Sequence, residues 1–158
     1  MIALRPMTEA EFQSYLEPAI ADYAQEHVKG GRWTEEEALE ESRKEYNGLL
    51  PNGIATPNQY LYTLVDPERQ QNVGMLWVAI RQKPDQCEAF VYDVRIDEAF
   101  QRHGYGSQAF RELEHKVREH GASKIALHVF GHNHAAREMY KKLGYEETNV
   151  MMAKDLAS

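Results

Sequence analysis

Cysteine is nearly absent: Cys87 stands alone in 158 residues, so no disulfide can close within the chain. Nothing beside it in sequence activates its thiol, and it reads as a small residue of a sheet strand rather than a nucleophile. Long apolar runs are missing too. The longest, such as Gly74 to Ile80, have strand length, far short of the roughly 18–20 residues a membrane span needs. The first residues, Met1 to Pro6, lack the apolar core and small-residue cleavage site of a secretory signal, so a cytoplasmic location is expected. Basic residues number 18 against 25 acidic ones, a net charge of −7. A duplex-binding protein needs a basic face to neutralise phosphates, and no such excess appears. Neither nucleic acid nor membrane is expected as a partner, and an acidic chain suits cationic substrates better.

What is present suffices for one packed domain over residues 1–158. Hydrophobic residues make up 42% and aromatic residues 10%, in a length typical of a single core. Ile2 to Leu4 reads as a short strand stopped by Pro6. Thr8 with Glu11, and Thr34 with Glu37, have capping-box spacing and open two helices. Pro18 inside the first predicts a kink or two abutting helices. Period-two alternation then predicts strands over Gln59 to Val65, Val73 to Arg81 and Glu88 to Ile96, joined by short turns as an antiparallel meander. Helical period returns from Gly104 to His120. Ser123 to Phe130 reads as a strand, Asn133 caps a helix closed by Gly144, and Tyr145 to Leu156 finishes as strand. The expected fold is α/β (α+β): a mixed, mostly antiparallel central sheet of six to seven strands flanked by about four helices.

Chemistry concentrates in Gln101-Arg102-His103-Gly104-Tyr105-Gly106-Ser107, between a strand and a helix. Two glycines at a helix mouth let backbone N–H groups approach a ligand. The first helical turn leaves donors unpaired and adds partial positive charge. Together these suit a pyrophosphate, and Arg102 and His103 can add donors. A tight turn that merely needs glycine is the plainer reading of such a pair. Gly104 to Ala109 also fits the dinucleotide pattern G-x-G-x-x-A. That pattern belongs directly after a parallel strand with an acidic residue about 20 positions on. Here seven residues intervene and the next strand offers Lys124 and His128 instead. His128, His132 and His134 have no Cys or acidic neighbour beside them, and no metal site is expected.

Val94-Arg95-Ile96 followed by Gln101-x-x-Gly104-x-Gly106 resembles the coenzyme A motif of the GNAT superfamily of N-acyltransferases. Asn133-x-x-Ala136-x-x-Met139-Tyr140-x-Lys142-x-Gly144-Tyr145 is similar to that family's next motif. Both stand in the family's order and spacing, over about residues 88 to 146, and the flanking elements look most like uncharacterised bacillus-type members. The resemblance implies an acyl-coenzyme A fold with two splayed strands and acetyl-coenzyme A as cosubstrate. It implies an N-acetyltransferase that acts on a primary amine of a small molecule or peptide. Backbone groups at Val94, Arg95 and Ile96 would pair with the pantetheine arm as an added strand does. Gln101, Arg102, His103, Gly104, Tyr105, Gly106 and Ser107 would hold the pyrophosphate. Asn133 and Ala136 would border the site, and Arg137 or Lys141 would reach the adenosine phosphate.

In the same resemblance Tyr140 matches the proton donor. An amine attacking a thioester gives a tetrahedral oxyanion whose collapse expels a thiolate, and a phenol near the sulfur can protonate it. A backbone N–H of the splayed strand would meet the oxyanion. A lysine-like amine has a pKa of about 10.4 and must lose a proton first. Asp93 and Glu88, on the strand leading into the site, are the candidate bases, with Asp93 preferred and a bound water as substitute. In a regular strand their opposite parity faces them to opposite sides, and a bulge would upset that count. Cys87 lies off the motifs, so direct transfer is expected. The helices near Trp33 and Tyr46 would wall the acceptor pocket. The alternative is a non-catalytic acyl-coenzyme A sensor or interaction module, which would need neither Tyr140 nor a base. The identity of the acceptor stays open, as does a homodimer.

Overall fold

The computed structural model describes residues 1–157. The order is β1 (Ala3–Pro6), α1 (Glu9–Lys29), α2 (Glu35–Leu49), β2 (Gln59–Asp66), β3 (Gln71–Gln82), β4 (Cys87–Ile96), α3 (Tyr105–Glu119), β5 (Lys124–Leu127) and α4 (His134–Lys142). The strands form one sheet in sequence order. β1 to β4 run antiparallel, and β5 joins β4 in parallel. Among the described residues no helix is long and apolar enough to cross a membrane.

Both amino-terminal helices start as their spacing demands. Thr8 and Thr34 each accept from the N–H three residues on, and Glu11 and Glu37 return to the cap's own N–H. Helices α1 and α2 cover one face of the sheet, where Phe12, Ile20, Tyr46, Leu61, Met75 and Trp77 form one core. On the other face α3 buries Ala109, Phe110, Leu113 and Val117 against Leu64, Leu76, Val78, Ala89 and Val91. The sheet is thus the middle of three layers, and alternation along its strands decides which layer each side chain meets.

Two expectations are corrected. Among the described residues the sheet has five strands rather than six to seven, because Tyr145 to Leu156 is not a strand. Glu146-Glu147-Thr148-Asn149 followed by Val150-Met151-Met152 has no period of two. Val150, Met151, Met152 and Leu156 are all exposed, so pairing there would gain no buried face. Strand β5 likewise stops at Leu127 rather than Phe130. At Pro18 the second of the two alternatives, abutting helices, is corrected, since the residue lies inside one helix running from Glu9 to Lys29. A proline in a helix interior costs about 3 kcal/mol. Phe12, Ala19, Ile20 and Ala24, buried on both sides of it, offset this at about 1.5–3 kcal/mol for each large apolar side chain.

Glu11 fastens α1 to the sheet edge. Its carboxylate accepts a two-pronged bond from Arg5 (2.8 and 3.2 Å) and bonds from the Thr8 N–H, Thr63 Oγ1 and Asn72 Nδ2. The Arg5 bond, above all, draws its pKa down to about 2, against the cost of burial. A folded-state pKa below the unfolded one stabilises the protein above about pH 4.5, and that stability is lost as pH falls toward 2. Glu11→Gln should therefore cost about 1–2 kcal/mol at pH 7, the lower figure allowing for solvent screening at a partly exposed site. Urea unfolding should show the gap between variant and parent closing as pH drops from 4.5 toward 2. A gap independent of pH would remove the charge from the explanation.

Candidate active site

The site begins where two strands part. Glu88 to Val91 of β4 pair with Lys124 to Leu127 of β5. Strand β4 then runs on to Ile96, bonded on its other side to β3, with no strand beside it where β5 had been. Backbone groups of β4 facing that gap over Val94, Arg95 and Ile96 are thus open to an extended ligand. One residue earlier the ladder carries a bulge: Trp77 pairs with Asp93 and Val78 with Val91, leaving Tyr92 as the extra residue.

Beyond β4 the chain makes a short 3-10 turn over Glu98–Phe100 and enters the glycine loop. Gln101 Nε2 donates to the Ile96 carbonyl at 3.0 Å, tying the loop to the strand end. Arg102 and Gly104 both take left-handed φ angles, 66° and 79°. At Gly104 a side chain would meet strain though not crowding, since an added Cβ finds no atom within 4 Å. Among the described residues, α3 is the one of four α-helices that starts without a side-chain cap. Its first-turn N–H groups, from Tyr105, Gly106 and Ser107, therefore keep the donor capacity and partial positive charge that caps neutralise elsewhere. Gly106 answers to packing, because a Cβ there would approach Met139 Sδ of α4 to 3.1 Å. Arg102 and His103 are exposed. Tyr105 offers only its backbone, since its buried phenol donates to Asp66 at 2.6 Å.

Helix α4 brings Tyr140 to the same corner. Its ring packs edge-on against Phe110 and Tyr145. Burial first, and then the charge of Asp93, push its pKa up to about 12, with no hydrogen bond contributing. The phenol therefore holds its proton throughout the neutral range. Asn133 caps α4, its Oδ1 accepting from the Ala136 N–H at 3.2 Å. Arg137 is committed to Glu147 (2.9 Å) and the Gly131 carbonyl (3.3 Å). A cavity of about 1100 Å³ along β5 and α4 is lined in part by Tyr140, Arg137 and Lys141. Neither Val94 to Ile96 nor Gln101 to Ser107 lines it. His128 stands against Phe130, and His132 Nε2 lies 2.6 Å from Glu26.

The bulge puts both candidate bases on the side of α1 and α2. Glu88 pairs with Arg81, and Asp93 with Trp77, two positions of like parity on β3. They differ in freedom. Glu88 is buried and flanked by Lys83 at 3.4 Å and Arg81 at 3.8 Å. Asp93 is nearer the gap and accepts from the Tyr15 hydroxyl at 2.6 Å and from Arg95 Nε at 3.0 Å. Arg95 also pairs with Asp22 of α1, and these acidic partners hold its pKa high despite its burial. Burial and the neighbouring carboxylate push the Tyr15 phenol well above its usual value. Tyr15, Asp22 and the Arg95 side chain escape a sequence reading because 78 and 73 residues separate the partners. The one available signal is that Tyr15 lies on the apolar stripe of its helix with a polar tip.

Comparison with known proteins follows the same lines. The N-acetyltransferase YycN of Bacillus subtilis, itself uncharacterized, is 41% identical over 155 residues, 98% of this chain and 99% of its own. YdgE of the same organism, also an uncharacterized N-acetyltransferase, is 37% identical over 153 residues, 97% of both chains. The crystal structure of YycN superimposes with a TM-score of 0.94 at 40% identity, covering all of both chains. Residues 15–145 match the sequence profile of the acetyltransferase (GNAT) family. With the parted strands, the open helix start and the profile in agreement over most of its length, this chain belongs to the acetyltransferase (GNAT) family.

Proposed function

We propose that the protein moves the acetyl group of acetyl-coenzyme A directly to a primary amine of a small molecule or peptide. The observation that carries this reading is the uncapped start of α3 beside the gap between β4 and β5. The residues fit the cosubstrate. N–H groups of Tyr105, Gly106 and Ser107 face a pyrophosphate, with Gln101, Arg102, His103 and Gly104 shaping the loop. Backbone groups of Val94, Arg95 and Ile96 bond the pantetheine arm, and one of their N–H groups meets the oxyanion. Asn133 and Ala136 border that arm at the start of α4. Acetyl-coenzyme A supplies an activated thioester, and the protein supplies position and protons.

Tyr140 gives its proton to the departing thiolate, which its raised pKa keeps available. Asp93 takes the proton of the amine, directly or through a water, ahead of the enclosed Glu88. Tyr15 and Arg95 position Asp93. Cys87 is buried at the start of β4 with Sγ directed to the His120 carbonyl, which supports transfer without an enzyme-bound acetyl group. Among the described residues the Tyr140 phenol has no hydrogen-bonded partner, which favours catalysis over a sensor role. Release of free thiol with a panel of amines separates the two: cosubstrate binding without release for any acceptor would favour the sensor.

Ser107→Asp tests the phosphate corner with two opposed readouts. A carboxylate at the third helical position suits the helix dipole and should raise stability by about 0.3–1 kcal/mol. The same charge repels a pyrophosphate, so the coenzyme A dissociation constant should rise at least tenfold. Calorimetric binding with a melting curve checks both, and undiminished affinity would displace the phosphates from this corner.

A further inference from the structure

We propose that a cavity between α1, α2 and the sheet is an aromatic cage for a second, cationic group of the acceptor. The acceptor would then be a diamine or N-alkylated diamine rather than a simple monoamine. The inference rests on the acetyl-transfer reading for the word acceptor, but the cage itself stands on its own geometry.

The cavity has a volume of about 410 Å³ and is walled by Tyr23, Tyr46, Trp77 and Tyr92, with Leu49 and Glu45. That is the size of a small-molecule site. Trp77 and Tyr92 stack at 4.6 Å, Tyr46 stands 5.6 Å from Trp77, and Tyr23 meets Tyr46 edge-on at 5.7 Å. The bulge at Tyr92 is what lays that ring over Trp77. Four electron-rich rings around one space attract an ammonium ion, most strongly where water is excluded. The fixed charges nearby give a cation no net attraction, since Arg81 and Lys83 share Glu88 and the Arg81 guanidinium already lies 5.5 Å from the Tyr92 ring centroid. Glu45 accepts from Tyr23 (2.9 Å) and Arg32 (2.6 Å). Arg81 bonds the Tyr92 hydroxyl (2.7 Å) and faces Glu88. The rings therefore supply the local attraction.

Longer-range attraction comes from the helical layer. Helices α1 and α2 carry eleven carboxylates against three Lys or Arg. Their net of −8 exceeds the −7 of the whole chain, so the remainder is slightly positive. A field of this kind draws cations to the face that holds the cage and leaves the phosphate corner on the other part of the molecule. The cage also adjoins the chemistry. Trp77 is the cross-strand partner of Asp93 on the same face of the sheet, and neighbouring strands lie about 4.8 Å apart. An acceptor with one amine at Asp93 and a cation in the cage needs only a linker of a few carbons.

Binding is tested first without cosubstrate, in a Trp33→Phe background where Trp77 is the remaining tryptophan reporter. Choline is titrated against 3,3-dimethylbutanol, which has its shape without its charge. Choline should quench saturably and bind at least tenfold tighter than the alcohol. Tyr46→Leu should abolish this. So should Gly48→Phe, at a lining position where an added Cβ meets no atom within 4 Å, which serves if Tyr46→Leu fails to fold. With acetyl-coenzyme A, kcat/KM for 1,4-diaminobutane should exceed that for butylamine at least tenfold, and Gly48→Phe should erase the preference. Equal binding of the alcohol would reduce the site to an apolar hole, and no binding of either probe would overturn the cage. Choline binding with no thiol release from any amine would sink the transfer reading and leave the cage standing.

Discussion

Tyr140→Phe should lower kcat about 100-fold while the coenzyme A dissociation constant stays within twofold. Positioned proton donors contribute about 10²–10⁴ in rate, and this substitution removes the donor alone. The ring's contacts with Phe110 and Tyr145 remain. Among the described residues the phenol makes no hydrogen bond that the substitution would remove, so the melting temperature should not fall. The pH profile adds a second check. A phenol is protonated below its pKa, and burial with the Asp93 charge lifts this one to about 12. Tyr140 therefore stays competent as a donor across the measurable alkaline range, and any loss of rate below about pH 10 must come from another group. Stopped assays of thiol release in both proteins settle the matter, and unchanged turnover in the variant would remove Tyr140 from the mechanism.

Gly74→Ala should be among the most damaging single-methyl additions the chain can suffer. A Cβ at Gly74 would lie 2.0 Å from the Arg95 carbonyl oxygen and 3.1 Å from the Ile96 Cα. Both are backbone atoms of β4, so no side chain can swing away. The strands must separate at the end of the ladder where Gly74 pairs with Ile96. Overpacking costs typically 1–3 kcal/mol and more when the backbone must move. A loss of about 3 kcal/mol predicts a melting temperature lower by about 10 °C for a chain of this size. The same shift displaces the carbonyls of the segment assigned to the pantetheine arm, so cosubstrate affinity should fall even where the variant folds. Gly48→Ala, a helical position with open space around it, is the contrast: it should gain about 0.5–1 kcal/mol. Equal stability of the two variants would contradict the close approach of β3 and β4.

Some of this was readable from the chain alone, and the division has physical causes. Capping boxes at Thr8 and Thr34 are four-residue patterns, so both helix starts stand where the spacing puts them. The glycine loop and Tyr140 sit in short motifs whose spacing along the chain carries their resemblance. Asp93 is different. Counting by twos sends Glu88 and Asp93 to opposite faces, and only the pairing of β4 with β3 reveals that Tyr92 adds a step. Partnership of Asp93 with Tyr15, and of Arg95 with Asp22, depends on α1 packing over the sheet, which no local pattern records. The missing last strand failed for the converse reason. Tyr145 to Leu156 has residues that strands favour, but a strand exists only where an edge and a buried face receive it.

The extra residue at Tyr92 makes residue count in β4 a functional quantity. If the same residues paired without the bulge, Asp93 and Arg95 would turn inward among the aliphatic groups under α3, while Val94 and Ile96 would turn out toward Tyr15 and Asp22. Deleting Tyr92 would do the reverse of a frameshift: Val91 opposite Val78 and Asp93 opposite Trp77 would become successive pairs of a regular ladder. Such a deletion spares the orientation of Asp93 and removes only the ring laid over Trp77.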